Sequence, residues 1–187
     1  PEFTQIDMEL SFVTEEDVMS INERLLQHLF KEILNVDVET PFQRMPWREA
    51  MDRFGSDKPD MRFGFELKNI SDVVKNTEFK VFAGAIAGGG SVRAINVKGG
   101  AKFSRKEIDS LIEFVKSYRA KGLAWLKWAE SGDISSSYAK FLTEEENEAI
   151  KAAVGAEAGD LVLIVADKND VVFDSLGALR CECAKRL

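Results

Sequence analysis

The chain has 187 residues, 45% of them hydrophobic, and sets 32 acidic side chains against 25 basic ones for a net charge of −7. That composition is enough for a packed core. No apolar run approaches the ~18 residues that a membrane span needs, and the first residues do not read as a signal peptide.

From Gln5 to Phe12 polar and apolar residues alternate strictly, which predicts a half-buried strand. Ile6, Met8, Leu10 and Phe12 share one face, and Gln5, Asp7, Glu9 and Ser11 share the other. The polar face suits either an ordinary wet strand or the floor of a substrate site, and alternation alone leaves both open. Thr14 with Asp17 then opens a helix, whose apolar residues recur at Val18, Ile21, Leu25, Leu29 and Ile33. His28, at the margin of that stripe, is assigned no chemistry. Pro46 suits the first turn of a short helix at Trp47–Phe54. The turn formers of Gly55–Asp60 follow.

The charge changes at the same place. Residues 1–57 carry 5 basic and 13 acidic residues, a net −8, whereas residues 58–168 carry 17 and 16, a net +1. Residues 169–187 are balanced at 3 and 3. A boundary is therefore expected after residue 57. Downstream, Ser71 is expected to cap a brief helix through Lys75. Phe79–Ile86 and Ser91–Val97 read as two strands of a hairpin joined at Ala87–Gly90. Because that glycine run lies between strands, a phosphate-binding loop is not expected. Ser104 and Glu107 box a helix reaching about Ala120, stopped by Gly122. Leu123–Trp128 is a third strand, Thr143 and Glu146 open a helix ending near Gly155, and Leu161–Asp167 is a buried strand. The last stretch, Asp170–Leu187, reads as helical. The middle region is thus expected to be an α+β unit, an antiparallel sheet with helices on one face.

Cys181 and Cys183 lie two apart in that final helix, where they do not face each other, so no disulfide is expected. With one histidine and no second cysteine pair, no metal site is expected either. A reduced, cytoplasmic setting fits best.

The residues also carry a likeness. PEFTQID and the alternating stretch after it resemble the second half of motif 2 of class II aminoacyl-tRNA synthetases. FGSDKPDMR (54–62), EFKVFAGAI (78–86), SRKEID (104–109), FVKSYRAKGLAWLK (114–127), AKFL (139–142) and GDLVLIVADK…LGALR (159–180) resemble bacterial-type aspartyl-tRNA synthetases, in order from end to end. The resemblance implies that residues 1–57 are part of the class II catalytic core. It makes residues 58–168 the GAD-like insertion domain and residues 169–187 a helix returning to the core. A related domain occurs in a glutamyl-tRNA amidotransferase subunit.

Motifs 1 and 3, the arginine-bearing half of motif 2 and the anticodon-binding barrel have no counterpart in this sequence. The resemblance therefore implies an internal segment with no catalytic residue of its own, inactive alone and binding neither ATP nor magnesium. In the whole enzyme, expected to be a homodimer that uses ATP, magnesium, aspartate and tRNA, Phe3 would stack on adenine. Asp7 would hold the substrate's α-ammonium, and Gln5 would bond near the adenylate. An aromatic face and a carboxylate are the chemically natural partners for those groups. Lys98, Lys102, Arg105 and Lys106, followed by Arg119, Lys121 and Lys127, are either a solvated charged face or a docking surface for tRNA or a neighbouring domain.

Overall fold

The computed structural model describes residues 1–129, 131 and 133–187. It divides into two compact units, Pro1–Met45 and Pro46–Leu187.

The first unit is organised by α1 (Glu15–Leu34). Thr14 caps it as expected: the Asp17 amide donates to the threonine hydroxyl, and the Asp17 carboxylate accepts from the Thr14 amide at 2.8 Å. Asn35, in the left-handed region at φ 52°, closes the other end. Glu23 is the unit's one buried residue; it accepts from the Phe42 amide at 2.9 Å and from Arg44 Nη1 at 2.6 Å. No hydrophobic residue of this unit is buried. The strand expected over Gln5–Phe12 does not form. Alternation supplies an apolar face, but a strand also needs partners for its backbone groups, and none of the strands among the described residues pairs with this stretch. Phe12 has a left-handed φ of 59°.

The second unit holds a five-stranded antiparallel sheet in the order β1-β2-β5-β3-β4. Its strands are β1 (Lys68–Asn69), β2 (Ser91–Val97), β3 (Ala124–Trp128), β4 (Ile134–Ser136) and β5 (Leu161–Asp167). β2 and β5 pair along their whole length, from Ser91 opposite Asp167 to Val97 opposite Leu161. Their alternate side chains feed two separate cores. Ile95, Leu163 and Val165 face α4 (Arg105–Ser117) and α6 (Asn169–Arg186), packed through Ile108, Leu111, Leu176 and Leu179. Ala94, Val162 and Ile164 point the other way, toward α3 (Lys80–Ala87) and α5 (Glu144–Val154), packed through Phe82 and Ile150. The α+β antiparallel architecture stands as read from sequence, with helices on both faces rather than one. The physical reason lies in β5: a continuous apolar run needs cover on each side.

Two local readings are corrected. Phe79–Ile86 is not a strand but forms most of α3 and its N-cap. Its apolar residues fall on both strand parities, while Phe79, Phe82 and Ile86 share a helical face packed into the second core. Ala87–Gly90 is consequently a helix-to-strand turn, not a hairpin. A Cβ at Gly90 would lie 2.1 Å from the Asp167 carbonyl oxygen. Ser71–Lys75 forms turns rather than a helix, with the Val73 and Val74 amides both donating to the Ile70 carbonyl. The Ser71 hydroxyl is committed elsewhere, accepting from the Val92 amide at 2.9 Å.

α2 (Trp47–Phe54) belongs to the second unit and packs on α6. The contact is close because two glycines meet there: a Cβ at Gly177 would lie 2.6 Å from the Gly55 carbonyl oxygen. The charge break after residue 57 thus falls inside this unit. No described helix is long and apolar enough to cross a membrane.

Candidate functional site

Phe3, Gln5 and Asp7 are all exposed, Phe3 at 77%. Neither Gln5 nor Asp7 makes a side-chain hydrogen bond or ion pair among the described residues. The structure therefore leaves an aromatic face, an amide and a carboxylate free on alternate positions of one short segment and brings no other functional side chain to them. The apolar residues between them are exposed as well, Ile6 at 64%. Along α1, Val18, Leu26, Phe30 and Ile33 are exposed too, the last at 72%. So many exposed apolar side chains in one unit suit a face made to be covered.

The basic cluster is more constrained than its sequence suggests. Lys98 Nζ contacts Asp160 Oδ2 at 2.9 Å, Glu157 Oε2 at 3.3 Å and the Gly155 carbonyl at 3.0 Å. Asp160 is buried and also accepts from the Gly99 amide, the Glu157 amide and Asn96 Nδ2. Burial pushes its carboxyl up, but these donors together with Lys98 outweigh burial and hold it below the ordinary carboxylate range. The arrangement is a latch between the end of β2 and the start of β5. Arg105 pairs with Asp109 at 2.8 Å and lies over the Trp125 ring. Arg119 pairs with Asp174 and Asp170, Lys121 approaches Asp167, and Lys127 Nζ donates to the Phe103 carbonyl at 3.2 Å. Lys102 and Lys106 are exposed and make no ion pair among the described residues. Acids are interspersed through the cluster rather than cleared from it.

Sequence reasoning does not single out Arg180, yet it is the largest fully buried side chain, 1% exposed. Its guanidinium carbon lies 5.0 Å from the Phe54 ring centre and 4.5 Å from that of Phe63. Nη2 donates to the Gly64 and Phe63 carbonyls at 2.9 and 3.3 Å. Arg93 acts similarly: it donates to Asp52 Oδ1 and to the Asp52 carbonyl, and it stacks over Phe173. Burial lowers both guanidinium pKa values. These two arginines bind α2 and the Phe63–Gly64 stretch to the sheet and α6. Both are buried and already engaged, so they serve structure. The cysteines are free, and burial pushes the Cys183 thiol up to about 12, which leaves it unreactive. No cluster of three metal-ligating side chains occurs among the described residues.

Comparison with known proteins bears on both units. The profile of the GAD domain matches residues 82–176, from within α3 to within α6. Over all 187 residues the chain is 62% identical to an aspartate–tRNA ligase of Ruminiclostridium cellulolyticum, covering 32% of that protein. It is 61% identical to an aspartate–tRNA(Asp/Asn) ligase of Lachnoclostridium phytofermentans and 60% identical to an aspartate–tRNA ligase of Clostridium botulinum strain Hall, covering 31% of each. The chain thus spans about a third of the length of the curated relatives it matches.

Proposed function

The chain belongs to the GAD domain family, and from that premise we propose that it is a segment of an aspartate–tRNA ligase. The whole enzyme activates aspartate with ATP to aspartyl-adenylate and passes the aspartyl group to the 3′ end of tRNA. Similarity along the whole chain to proteins of that name supports the reading. The structural observation that carries it is the first unit: it has no buried hydrophobic residue and exposes Ile6, Met8, Leu10 and Phe12. Such a surface is what a piece of catalytic core presents when its neighbouring strands are supplied by the rest of the enzyme.

In this reading the Phe3 ring stacks on adenine, the Asp7 carboxylate holds the aspartate α-ammonium, and Gln5 hydrogen-bonds beside the adenylate. The free, exposed state of these three side chains fits the assignment. Magnesium would add charge stabilisation at the transferring phosphoryl group, and in this reading it and the arginines that bind phosphate are held by the rest of the whole enzyme. The GAD unit acts as a rigid spacer, because its basic residues are largely tied to acids within the fold.

Aspartate-dependent ATP–pyrophosphate exchange tests the proposal. The whole protein that carries this segment should exchange, and the 187-residue chain alone should not, since loss of one transition-state charge partner already costs ~10²–10³ in rate. Exchange by the chain above a protein-free blank, or none by the whole protein, would overturn it.

A further inference from the structure

The second unit contains a cavity of ≈ 580 Å³ that shares no residue with Phe3, Gln5 or Asp7. Its size is that of small-molecule sites. The walls are apolar, with Phe82 and Ala85 of α3 on one side and Leu123 together with Ala124, Ile164 and Ala166 of β3 and β5 on the other. One rim is charged, where Asp167, Lys121 and Lys168 converge. Asp167 Oδ1 accepts from the Lys168 amide at 2.8 Å. Asp167 Oδ2 is buried and has no hydrogen-bond partner among the described residues. Its ion-pair partner, Lys121 Nζ, stands at 3.6 Å on a side chain 87% exposed. That separation is too long for a hydrogen bond, and Lys121 has no other ion pair among the described residues. The hydroxyl of Tyr138, another wall residue, is likewise buried and unpartnered. Buried polar atoms in this state call for a ligand or another explanation.

A second observation points the same way. Gly84 lies in the interior of α3, where glycine is unfavourable, and it lines the cavity. Nothing lies within 4 Å of a Cβ built there. The glycine is therefore not needed for close packing; its effect is to keep the chamber open.

We propose that this cavity binds a free α-amino acid with a large apolar side chain. The side chain fills the chamber between α3 and the sheet. The α-ammonium takes the place of the Lys121 head at Asp167 Oδ2, and the α-carboxylate is met by the ammonium groups of Lys121 and Lys168. A zwitterion suits this rim better than a simple cation or anion, because both signs of charge converge on it.

Titration of the 187-residue chain with L-phenylalanine, followed by two-dimensional NMR, tests the assignment. Phenethylamine and 3-phenylpropanoate serve as half-molecules with one charge each. Saturable shifts at Gly84, Leu123 and Asp167 are expected, with a Kd on the order of 1 mM, as suits a ligand of this size. Each half-molecule should bind at least ~10-fold more weakly, the effect of one lost charge-assisted hydrogen bond. Gly84→Leu should fill the chamber without lowering the melting temperature of the free protein, and it should weaken L-phenylalanine by at least ~10-fold. Asp167→Asn, which keeps the shape, should do the same and decides the matter if Gly84→Leu is unstable. No saturable shift up to roughly 10 times the expected Kd, equal binding of the half-molecules, or undiminished binding to Asp167→Asn would overturn the proposal.

Discussion

At the scale of single residues, the second unit is held by a few buried polar groups whose partners are far away in sequence. Asp160 is one. Replacing it by Ala leaves the Gly99 and Glu157 amides without their acceptor and removes one of the acceptors of the Asn96 side chain, at a cost of about 2–4 kcal/mol. Because its folded pKa is lowered from 3.8, its contribution is present above that value and is lost as pH falls through the folded one. Urea midpoints from neutral to acid pH should therefore fall less steeply for Asp160→Asn than for the unaltered chain. Parallel curves would show that the carboxylate is not stabilised by its partners. Gly55 is a second such residue. It has φ 66°, and a Cβ there would lie 2.3 Å from the Phe173 carbonyl oxygen. The left-handed backbone alone costs a non-glycine residue about 1–2 kcal/mol, and the clash adds to it. Gly55→Ala should lose more than ~2 kcal/mol on urea unfolding, while Gly64→Ala, with nothing within 4 Å, should change stability by less than ~0.5 kcal/mol. Equal effects would contradict the close contact of α2 and α6. Little of this was legible beforehand. Arg180 reads as one more charged residue on a helix, and its two aromatic rings and carbonyl acceptors come from residues 54–64.

At the scale of elements, what the sequence encodes locally was legible. Thr14 with Asp17, Ser104 with Glu107 and Thr143 with Glu146 all form reciprocal capping boxes at the ends of α1, α4 and α5. A box needs only four neighbouring residues, so one sequence suffices to find it. Of the elements that depend on distant partners, Ser91–Val97, Leu123–Trp128 and Leu161–Asp167 were read as the strands they form, but two others were misread. Phe79–Ile86 is too short and too uniformly apolar for periodicity to separate strand from helix, and the spacing of Phe79, Phe82 and Ile86 was the signal that favoured helix. Gln5–Phe12 has the pattern of a strand and lacks only something to pair with. Hydrogen exchange should show the consequence. Amides of residues 2–12 should exchange fast, whereas those of β2 and β5, bonded to each other at the centre of the sheet, should be the slowest. Slow exchange at residues 2–12 in a monomeric sample would mean that this stretch has found a partner within the chain.

At the scale of the whole molecule, the two units differ in kind. One has two apolar cores around a paired sheet; the other has a single capped helix, one buried glutamate and an uncovered apolar surface. A unit of the second kind has meaning as part of something larger, and the proposed whole enzyme supplies it. Its candidate site was legible only through resemblance, because Phe3, Gln5 and Asp7 read from sequence as nothing more than alternate positions of one extended segment. The assignment of Asp7 is the central claim, and steady-state kinetics of Asp7→Ala in the whole protein test it most directly. Leaving a substrate ammonium without its buried partner costs roughly 2–5 kcal/mol, or about 30-fold to several thousand-fold in kcat/KM for aspartate, with KM for ATP little changed. A change of less than about threefold in kcat/KM for aspartate would return Asp7 to the wet side of an ordinary strand.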